Sequence, residues 1–331
     1  MKRNSTIDVM RTLALTLIIV AHLSAIPNFI TEIRIFDVIA MVFLAGASYC
    51  ISREKNDDEK YSEYICKRFK KLLIPTWKIL TIIFLSMLLI TNSLKPWGGI
   101  RIIQSYLLYD GIGYVWFVRV TLMLAVVSPL FIRIKKWMND SSLKFYGVFL
   151  TWVLLYILIV CVHNITLGRI PRVLSLILYL FPIFLIGYSF VYYLGMVYGE
   201  LRTKDKIVVC CLSGVIYMLC LFFSEISIIE DKYPPGIMYL SYGVLVTCLM
   251  YSFLEKIYKN KSCSKLVIYI SKNSFTLYLL HIIPLLIIKY SSSDIVNYLK
   301  ANPIIEYIFI IILTGILMCI NQLIKMKIRR K

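Results

Sequence analysis

Long apolar segments recur along the whole chain, and they restrict the fold more than any other feature. Each is about 20 residues long, the length that an α-helix needs to cross the hydrocarbon core of a bilayer. Hydrophobic residues make up 60% of the 331 residues, and the mean hydropathy of +0.78 is far above that of an ordinary soluble domain. The pattern predicts an all-α, polytopic transmembrane helical bundle of about ten spans, at residues 7–25, 36–52, 73–92, 115–132, 147–162, 173–199, 207–224, 236–254, 273–289 and 304–324.

The segments between these spans are too short to form a separate soluble domain. We therefore interpret residues 1–331 as one integral-membrane domain. The first apolar segment is interrupted by Asp8 and Arg11 and is followed by no convincing cleavage site, so it is interpreted as a retained helix and not as a signal peptide. A tilt or break is expected in the sixth span near Pro182 or Gly187, and a local distortion in the ninth near Pro284.

The net charge of +19 could suggest a nucleic-acid partner, but the positions of the charges indicate topology instead. With the N terminus inside, 26 of the 37 Lys and Arg residues lie in cytoplasmic segments and eight in outer segments. This bias follows the positive-inside rule and predicts that both termini are cytoplasmic. A nucleic-acid role is therefore not expected, and the cell membrane is the expected location.

One basic segment is denser than the topology requires. The sequence "CKRFKKLLIPTWK" places Lys67, Arg68, Lys70, Lys71 and Lys78 around the start of the third span. These side chains could anchor the helix by snorkelling to the headgroups. They could equally bind a polyanionic cytosolic ligand, because guanidinium and ammonium groups pair well with phosphates.

Arg11 and His22 lie in the first span, where charged groups are costly and often functional. They are eleven positions apart, so on a helix they project from nearly the same face, about 16 Å apart along the axis. Arg11 could be an interfacial snorkelling residue or a ligand contact. His22 could simply be hydrogen-bonded to a neighbouring helix, or it could act as a general base, since histidine exchanges protons near neutral pH.

Further polar and aromatic residues lie in later spans. Arg119, in "YVWFVRVTLML", requires a partner or a water-filled cavity, and it follows Trp116 by about one helical turn. The preceding "DGIGYVW" segment could stack on a sugar ring or form an interfacial aromatic belt. His281 lies in the ninth span, whereas His163 is interpreted as an ordinary interfacial residue.

Common signatures of soluble enzymes and of metal sites are missing from the sequence. No P-loop, GxGxxG or GxSxG motif occurs. The nine cysteines form no CxxC pair and mostly lie in apolar segments, so we interpret them as small core residues. Neither a bound metal nor a bound cofactor is expected.

Taken together, these residues resemble the acyltransferase-3 family of membrane O-acyltransferases, which includes polysaccharide and peptidoglycan O-acetyltransferases. The sequence departs from the family pattern at Ala45, where the family usually has a serine, and at Lys71, where the family usually has a second arginine. The matching elements follow one another along nearly the whole chain: Arg11 and His22; "VFLAGAS" with Phe43 and Gly46; "KRFKKLLIP" with Arg68, Lys71 and Pro75; Trp116 and Phe117; and Tyr278 to His281.

The resemblance implies transfer of an acetyl group from cytoplasmic acetyl-CoA to a hydroxyl of a cell-surface glycan or of its lipid-linked precursor. His22 would be the general base or an acyl relay, and Arg11 would position the donor or stabilise charge at the thioester. The remaining candidates divide into donor-binding residues, namely Arg68, Lys71, Lys67 and Arg119, and supporting residues, namely Trp116, Tyr278 and His281.

Some family members carry an additional extracytoplasmic esterase-like domain. This sequence ends just after its last span, so such a partner is expected to be a separate chain, or the membrane unit acts alone. The alternative function is a transporter or flippase of a surface glycan, with buried Arg and His along its pathway. Such a protein often has internal repeats, and none is evident between the two halves of this chain.

Overall fold

The computed structural model describes residues 3–55, 59–91, 98–109, 111–139, 141–291 and 293–329, and all regular secondary structure in these ranges is helical. The α-helices are, in chain order, α1 (Ser5–Val20), α2 (Asn28–Arg34), α3 (Asp37–Lys55), α4 (Tyr61–Thr91), α5 (Gly98–Tyr106), α6 (Trp116–Met138), α7 (Ser142–Thr166), α8 (Arg172–Leu178), α9 (Phe184–Val197), α10 (Thr203–Phe223), α11 (Ile237–Tyr258), α12 (Lys265–Lys272), α13 (Ser274–Leu280), α14 (Ile282–Tyr290), α15 (Asp294–Ala301) and α16 (Pro303–Arg329).

The prediction of an all-helical, polytopic membrane protein is confirmed. Within the described ranges, eight helical segments are long and apolar enough to cross a bilayer, or nine if the bent pair α12 and α13–α14 forms one span. The expected number was ten. The difference lies in α1, which has only 16 residues because the chain leaves the helix at Ala21. The orientation of the termini stays a prediction, as does the single domain across the whole chain.

Both predicted helix disturbances are present. A π-helical turn at Tyr179–Ile183, which contains Pro182, separates α8 from α9. His281 lies between α13 and α14, and Pro284 follows in the first turn of α14. Proline has no N–H to donate to the carbonyl four residues earlier, so the regular hydrogen bonding is interrupted beside this histidine.

The centre of the bundle is formed by α1, α3, α9 and α11, which pack against one another, while α7 and α10 are mostly exposed at the periphery. Two glycines allow the closest of these contacts. A Cβ atom on Gly46 would overlap the backbone carbonyl of Tyr192, and one on Gly195 would overlap that of Phe43. Small residues that let two helix backbones touch are typical of membrane proteins. They fix α3, and with it the polar residues at its two ends.

Candidate functional site

A cavity of about 600 Å³ lies at the end of the bundle where α1 terminates. Asn4 caps the start of α1 by accepting a hydrogen bond from the backbone N–H of Ile7, and the helix then runs to Val20. His22 follows in the turn, partly buried, and lines this cavity, which we call the histidine cavity. Its other aromatic lining residues are Tyr109, Tyr114, Trp116, Phe117, Tyr179, Phe184, Tyr233 and Tyr278.

Two aromatic rings, those of Tyr114 and His281, lie beside His22. Its ring centroid lies 4.9 Å from that of Tyr114 and 5.8 Å from that of His281. The Tyr278 hydroxyl donates a hydrogen bond of 2.7 Å to the carbonyl of Tyr114. Trp116 lies against Tyr233, with centroids 5.2 Å apart. The structure therefore brings His22, Trp116, Tyr278 and His281 together, although α1, α6 and α13 are far apart in sequence.

The hydrogen bonding of His281 determines which ring nitrogen carries its proton. Its side chain is fully buried, and Nδ1 is hydrogen-bonded to the carbonyl of Tyr278. A carbonyl only accepts, so Nδ1 donates and Nε2 holds the lone pair of the neutral ring. Nε2 is buried and has no hydrogen-bond partner in the described ranges. Beside His22 there is thus a second imidazole with an unused proton-accepting nitrogen.

Arg119 lies in the wall of the same cavity and is largely buried. Its Nη1 donates to the carbonyls of Leu108, at 3.2 Å, and Tyr109, at 2.5 Å, and its guanidinium lies 5.6 Å from the ring centroid of Phe184. Leu108 has a φ of +56°, which is uncommon for a residue with a side chain. Arg119 therefore stabilises the loop before α6, at the histidine cavity and not beside Arg68.

Three charged residues at this end form a buried cluster that we did not predict. Asp37, at the start of α3, is 1% exposed and pairs with Arg34 at 2.7 Å. The Lys232 ammonium lies 3.8 Å from the other carboxylate oxygen. Burial lowers the pKa of Lys232, and the Asp37 carboxylate opposes that shift. Asp37 and Lys232 both line the histidine cavity. The only sequence signal was an acidic residue at the edge of an apolar span.

A second buried carboxylate, Glu306 at the start of α16, was also not predicted. It is fully buried and accepts two hydrogen bonds from Ser24, from the backbone N–H at 2.8 Å and from the hydroxyl at 2.7 Å. Ser24 is two residues after His22. Glu306 therefore holds the turn that presents His22 to the cavity.

Arg11 lies toward the other end of α1, in a different environment. Its guanidinium donates to the hydroxyl of Ser48, to the Leu44 carbonyl at 3.5 Å and to the Ser271 hydroxyl at 3.2 Å. Ser271 in turn donates to Asp8 at 2.6 Å. We call Asp8, Arg11, Ser48 and Ser271 the Arg11 network. It joins α1, α3 and α12, and Arg11 itself is fixed by partners on α3 and α12.

The structure places Arg68 and Lys71 of α4 near Arg11, since Lys71 interacts electrostatically with both arginines. Nε of Arg68 is buried and makes no hydrogen bond within the described part of the chain. Lys67 differs from these two: its side chain is 71% exposed and pairs with Glu59 at 2.8 Å. Arg11, Arg68 and Lys71 therefore form one cationic group, which we call the basic cluster, and Lys67 lies outside it.

Metal binding has no structural support among the described residues, where no group of three or more His, Cys, Asp or Glu side chains could hold an ion. All nine cysteines are free. The polar chemistry is carried by imidazole, guanidinium, ammonium and hydroxyl groups.

These features define a class: an integral membrane protein whose short central helix connects a basic cluster to a histidine-containing cavity. Residues 4–320 match the family model described as an acyltransferase domain, acyltransferase-3. The chain therefore belongs to the acyltransferase-3 family, a family of O-acyltransferases, and the predicted resemblance is confirmed. Searches of curated proteins and of solved structures found no match.

Membership of this family identifies the protein as an enzyme with an acyl donor and an acceptor as substrates. It favours the acyltransferase interpretation over a glycan transporter. The family match covers both the first helix, with Arg11 and His22, and the segment with Tyr278 and His281.

Proposed function

We propose that this enzyme transfers an acetyl group from acetyl-CoA to a hydroxyl of a cell-surface glycan or of its lipid-linked precursor, with His22 as the general base. The observation that carries the proposal is the position of His22. It lines an aromatic cavity in the turn just after α1, while α1 itself carries Arg11 into a basic cluster at its other end. One helix thus connects a site suited to phosphates with a site suited to a sugar hydroxyl.

The basic cluster is the donor side of this proposal. Arg11, Arg68 and Lys71 supply three cations, and charge-assisted hydrogen bonds to phosphate are among the strongest that side chains make. Lys71 can act as a point charge but lacks the planar fork of an arginine, so the bidentate contacts fall to Arg11 and Arg68. CoA phosphates bound there would leave the pantetheine arm and its thioester to extend along α1 toward His22. With both termini cytoplasmic, the donor enters from the cytoplasm.

The contacts of Lys67 and Arg119 fit donor binding less well than those of the basic cluster. Lys67 is exposed and already paired with Glu59, and such surface pairs contribute little. Arg119 binds the carbonyls before α6 and lines the histidine cavity. We therefore assign Arg119 to the acceptor side, where it orders the loop that carries Tyr114 and Trp116.

In the transfer step, the acceptor hydroxyl oxygen attacks the carbonyl carbon of the thioester. His22 takes the hydroxyl proton as the new C–O bond forms, and the C–S bond breaks to release CoA as a thiolate. The imidazolium of His22 then returns the proton to the sulfur, so the products are the acetyl ester and neutral CoA thiol. His281 lies beside His22, and the free lone pair on its Nε2 stabilises the positive charge of the His22 imidazolium.

An acyl relay through His22 is the alternative form of the same proposal. There the acetyl group first bonds to an imidazole nitrogen with release of CoA, and the acceptor hydroxyl attacks this acylated ring. Label that stays on the protein when acetyl-CoA is supplied without acceptor would favour the relay. A separate extracytoplasmic partner could then complete delivery to the final glycan.

The direct test is acetyl transfer in membranes that contain the wild-type protein or His22→Ala, supplied with radiolabelled acetyl-CoA and total cell-surface glycan. We expect label in glycan only with the wild-type protein, at equal amounts of inserted protein. The matched control is His163→Ala, which removes a histidine that contacts Tyr179 but does not line the cavity. Full acetylation by His22→Ala would refute the catalytic assignment.

A further inference from the structure

The charges that line the histidine cavity indicate which chemical class of acceptor it binds. Arg119, Lys232 and Lys289 line it, and Asp37 is the one carboxylate in its described lining. Asp37 balances these charges only in part, because its single negative charge is shared between Lys232 and Arg34, and it also accepts a hydrogen bond of 2.6 Å from the backbone N–H of Val38. The cavity therefore has a net positive wall.

Lys232 has only weak partners on the protein: besides its contact with Asp37, its Nζ lies 5.5 Å from the ring centroid of Tyr233. Its side chain is 11% exposed, and its ammonium is 3.8 Å from Asp37, which is an electrostatic contact but longer than a hydrogen bond. No described residue accepts a hydrogen bond from it. A largely buried ammonium that faces a cavity is stabilised when a ligand there supplies a charged acceptor. A ligand anion in the cavity would supply both the missing acceptors and the missing negative charge.

The rest of the cavity fits a sugar ring. Its volume of about 600 Å³ lies in the usual range for small-molecule sites. Tyr114, Trp116 and Tyr233 present aromatic surfaces of the kind that pack against the C–H faces of a pyranose. Lys289, exposed at the rim, adds a second positive charge near the entrance.

We propose that the histidine cavity binds an acidic acceptor, a sugar unit that carries a carboxylate or a phosphate, with the Lys232 ammonium as the main contact to the acidic group. This inference rests on the proposed function, since it identifies the cavity as the acceptor site. Asp37 and Arg34 are positioning residues here, because they hold Lys232 through Asp37. A neutral sugar offers Lys232 a hydroxyl acceptor but no negative charge, and the enzyme discriminates against it for that reason.

Binding can be measured without any acyl transfer. The purified full-length protein in detergent is examined by saturation-transfer difference NMR with glucuronate, glucose 6-phosphate and glucose as probes. We expect saturation of the two anionic sugars in preference to glucose. A preference for glucose 6-phosphate would assign the anion to a phosphate, as in a lipid-linked precursor, and a preference for glucuronate to a sugar carboxylate. Both results support the inference.

The variants identify the contact. Hydrogen bonds to charged groups are strong, so Lys232→Gln should bind the preferred anion about tenfold more weakly. Lys232→Arg keeps the charge and should retain the preference, which also controls for folding. Lys144→Gln is the matched control, because Lys144 too lies beside an aromatic ring, with Nζ 4.9 Å from the centroid of Trp137, but outside the cavity lining. Its sugar binding should equal that of the wild type.

Three results would overturn the inference: equal saturation of glucose and the anions, no binding of either anion, or an unchanged preference in Lys232→Gln. A fourth is displacement of the bound anion by adenosine 3′,5′-bisphosphate, which carries phosphates of the donor without its pantetheine arm and would place Lys232 on the donor side. Because no transfer is involved, each of these leaves the labelled-acetyl test of the proposed function intact. Failure of that test would likewise leave a charge-dependent sugar site standing.

Discussion

The two ends of α1 differ in how their polar groups are satisfied. Arg11 has hydrogen-bond partners on α3 and α12, and one of them, Ser271, donates a hydrogen bond to Asp8. At the other end, His281 keeps a buried nitrogen without a partner in the described ranges, and Lys232 has an electrostatic contact but no hydrogen bond there. Unsatisfied buried groups are rare and are expected where a ligand completes them. Arg11 is therefore held in place before substrate arrives, although Nε of the neighbouring Arg68 is also without a partner in the described ranges, and the histidine cavity is completed by substrate.

The largest effect is expected from His22→Gln, which keeps a polar side chain but removes the base. General acid–base catalysis contributes about 10²- to 10⁴-fold, so kcat should fall by that order. The dissociation constant of acetyl-CoA should stay at the wild-type value, because Arg11, Arg68 and Lys71 are untouched. Single-turnover acetyl transfer and equilibrium binding of labelled acetyl-CoA measure the two quantities separately.

His163→Gln provides the control and should leave both quantities unchanged. If His22→Gln instead weakened donor binding and left kcat intact, the two ends of α1 would not have the separate roles that their geometry indicates.

Arg68→Ala tests the opposite end. Removing one charge-assisted contact to phosphate should raise the KM for acetyl-CoA about tenfold, with a much smaller change in kcat. Lys67→Ala is the matched control, one residue away on the same helix. Its pair with Glu59 is exposed, and such pairs contribute about 0–1 kcal/mol, so its effect on the donor KM should be well below that of Arg68→Ala. Equal effects of the two variants would mean that general surface charge, and not the basic cluster, recruits the donor.

Much of this architecture follows from the sequence alone. Apolar segments of bilayer length predicted the helices, and Pro182 and Pro284 predicted the disturbances. These features are local, since each depends on residues within a few turns of one another. The prediction that Arg11 and His22 share one helix was wrong, because α1 ends at Val20 and His22 lies in the turn that follows. The shortening of α1 at Ala21 is a local detail as well, but hydropathy does not reveal it, because the residues after Val20 remain largely apolar.

The rest of the candidate site depends on contacts between distant parts of the chain. Glu306 meets Ser24 across 282 positions, and Asp37 meets Lys232 across the bundle. Hydropathy assigns Ser24, Asp37 and Glu306 to the edges of spans and Lys232 to an outer segment, and polar residues are ordinary in both places. Nothing in the pattern therefore separates these four from other loop residues. Arg119 shows the same limit, because its sequence position predicted a need for partners but not at which end of the bundle they lie.

Glu306→Gln should give a smaller effect than either variant above. A neutral amide retains one acceptor oxygen and places an NH₂ group against a donor of Ser24, so the turn after α1 loosens. Losing one such hydrogen bond should lower kcat about fivefold while the donor KM stays unchanged, since His22 is displaced and the basic cluster is not. Steady-state kinetics against acetyl-CoA separates the two parameters.

The control for Glu306→Gln is Glu255→Gln, which breaks the half-exposed pair with Lys206 and should leave kcat at the wild-type value. A change in donor KM for Glu306→Gln would contradict its assignment to the His22 turn.

Ser271→Ala tests how much the hydrogen bonds of Ser271 contribute to holding Arg11 in place for the donor. Asp8 keeps its pair with Arg3, and Arg11 keeps Ser48 and the Leu44 carbonyl, so only the bridge between them is lost. The two lost hydrogen bonds both have a charged partner, but Arg11 and Asp8 each keep other partners, so the donor KM should rise by only about threefold. Ser252→Ala, which removes a hydroxyl contact to Tyr198 away from the network, should have no effect on this KM. A much larger loss in Ser271→Ala would mean that Ser271 itself touches the donor, because the redundancy of the Arg11 contacts leaves no structural reason for a large effect.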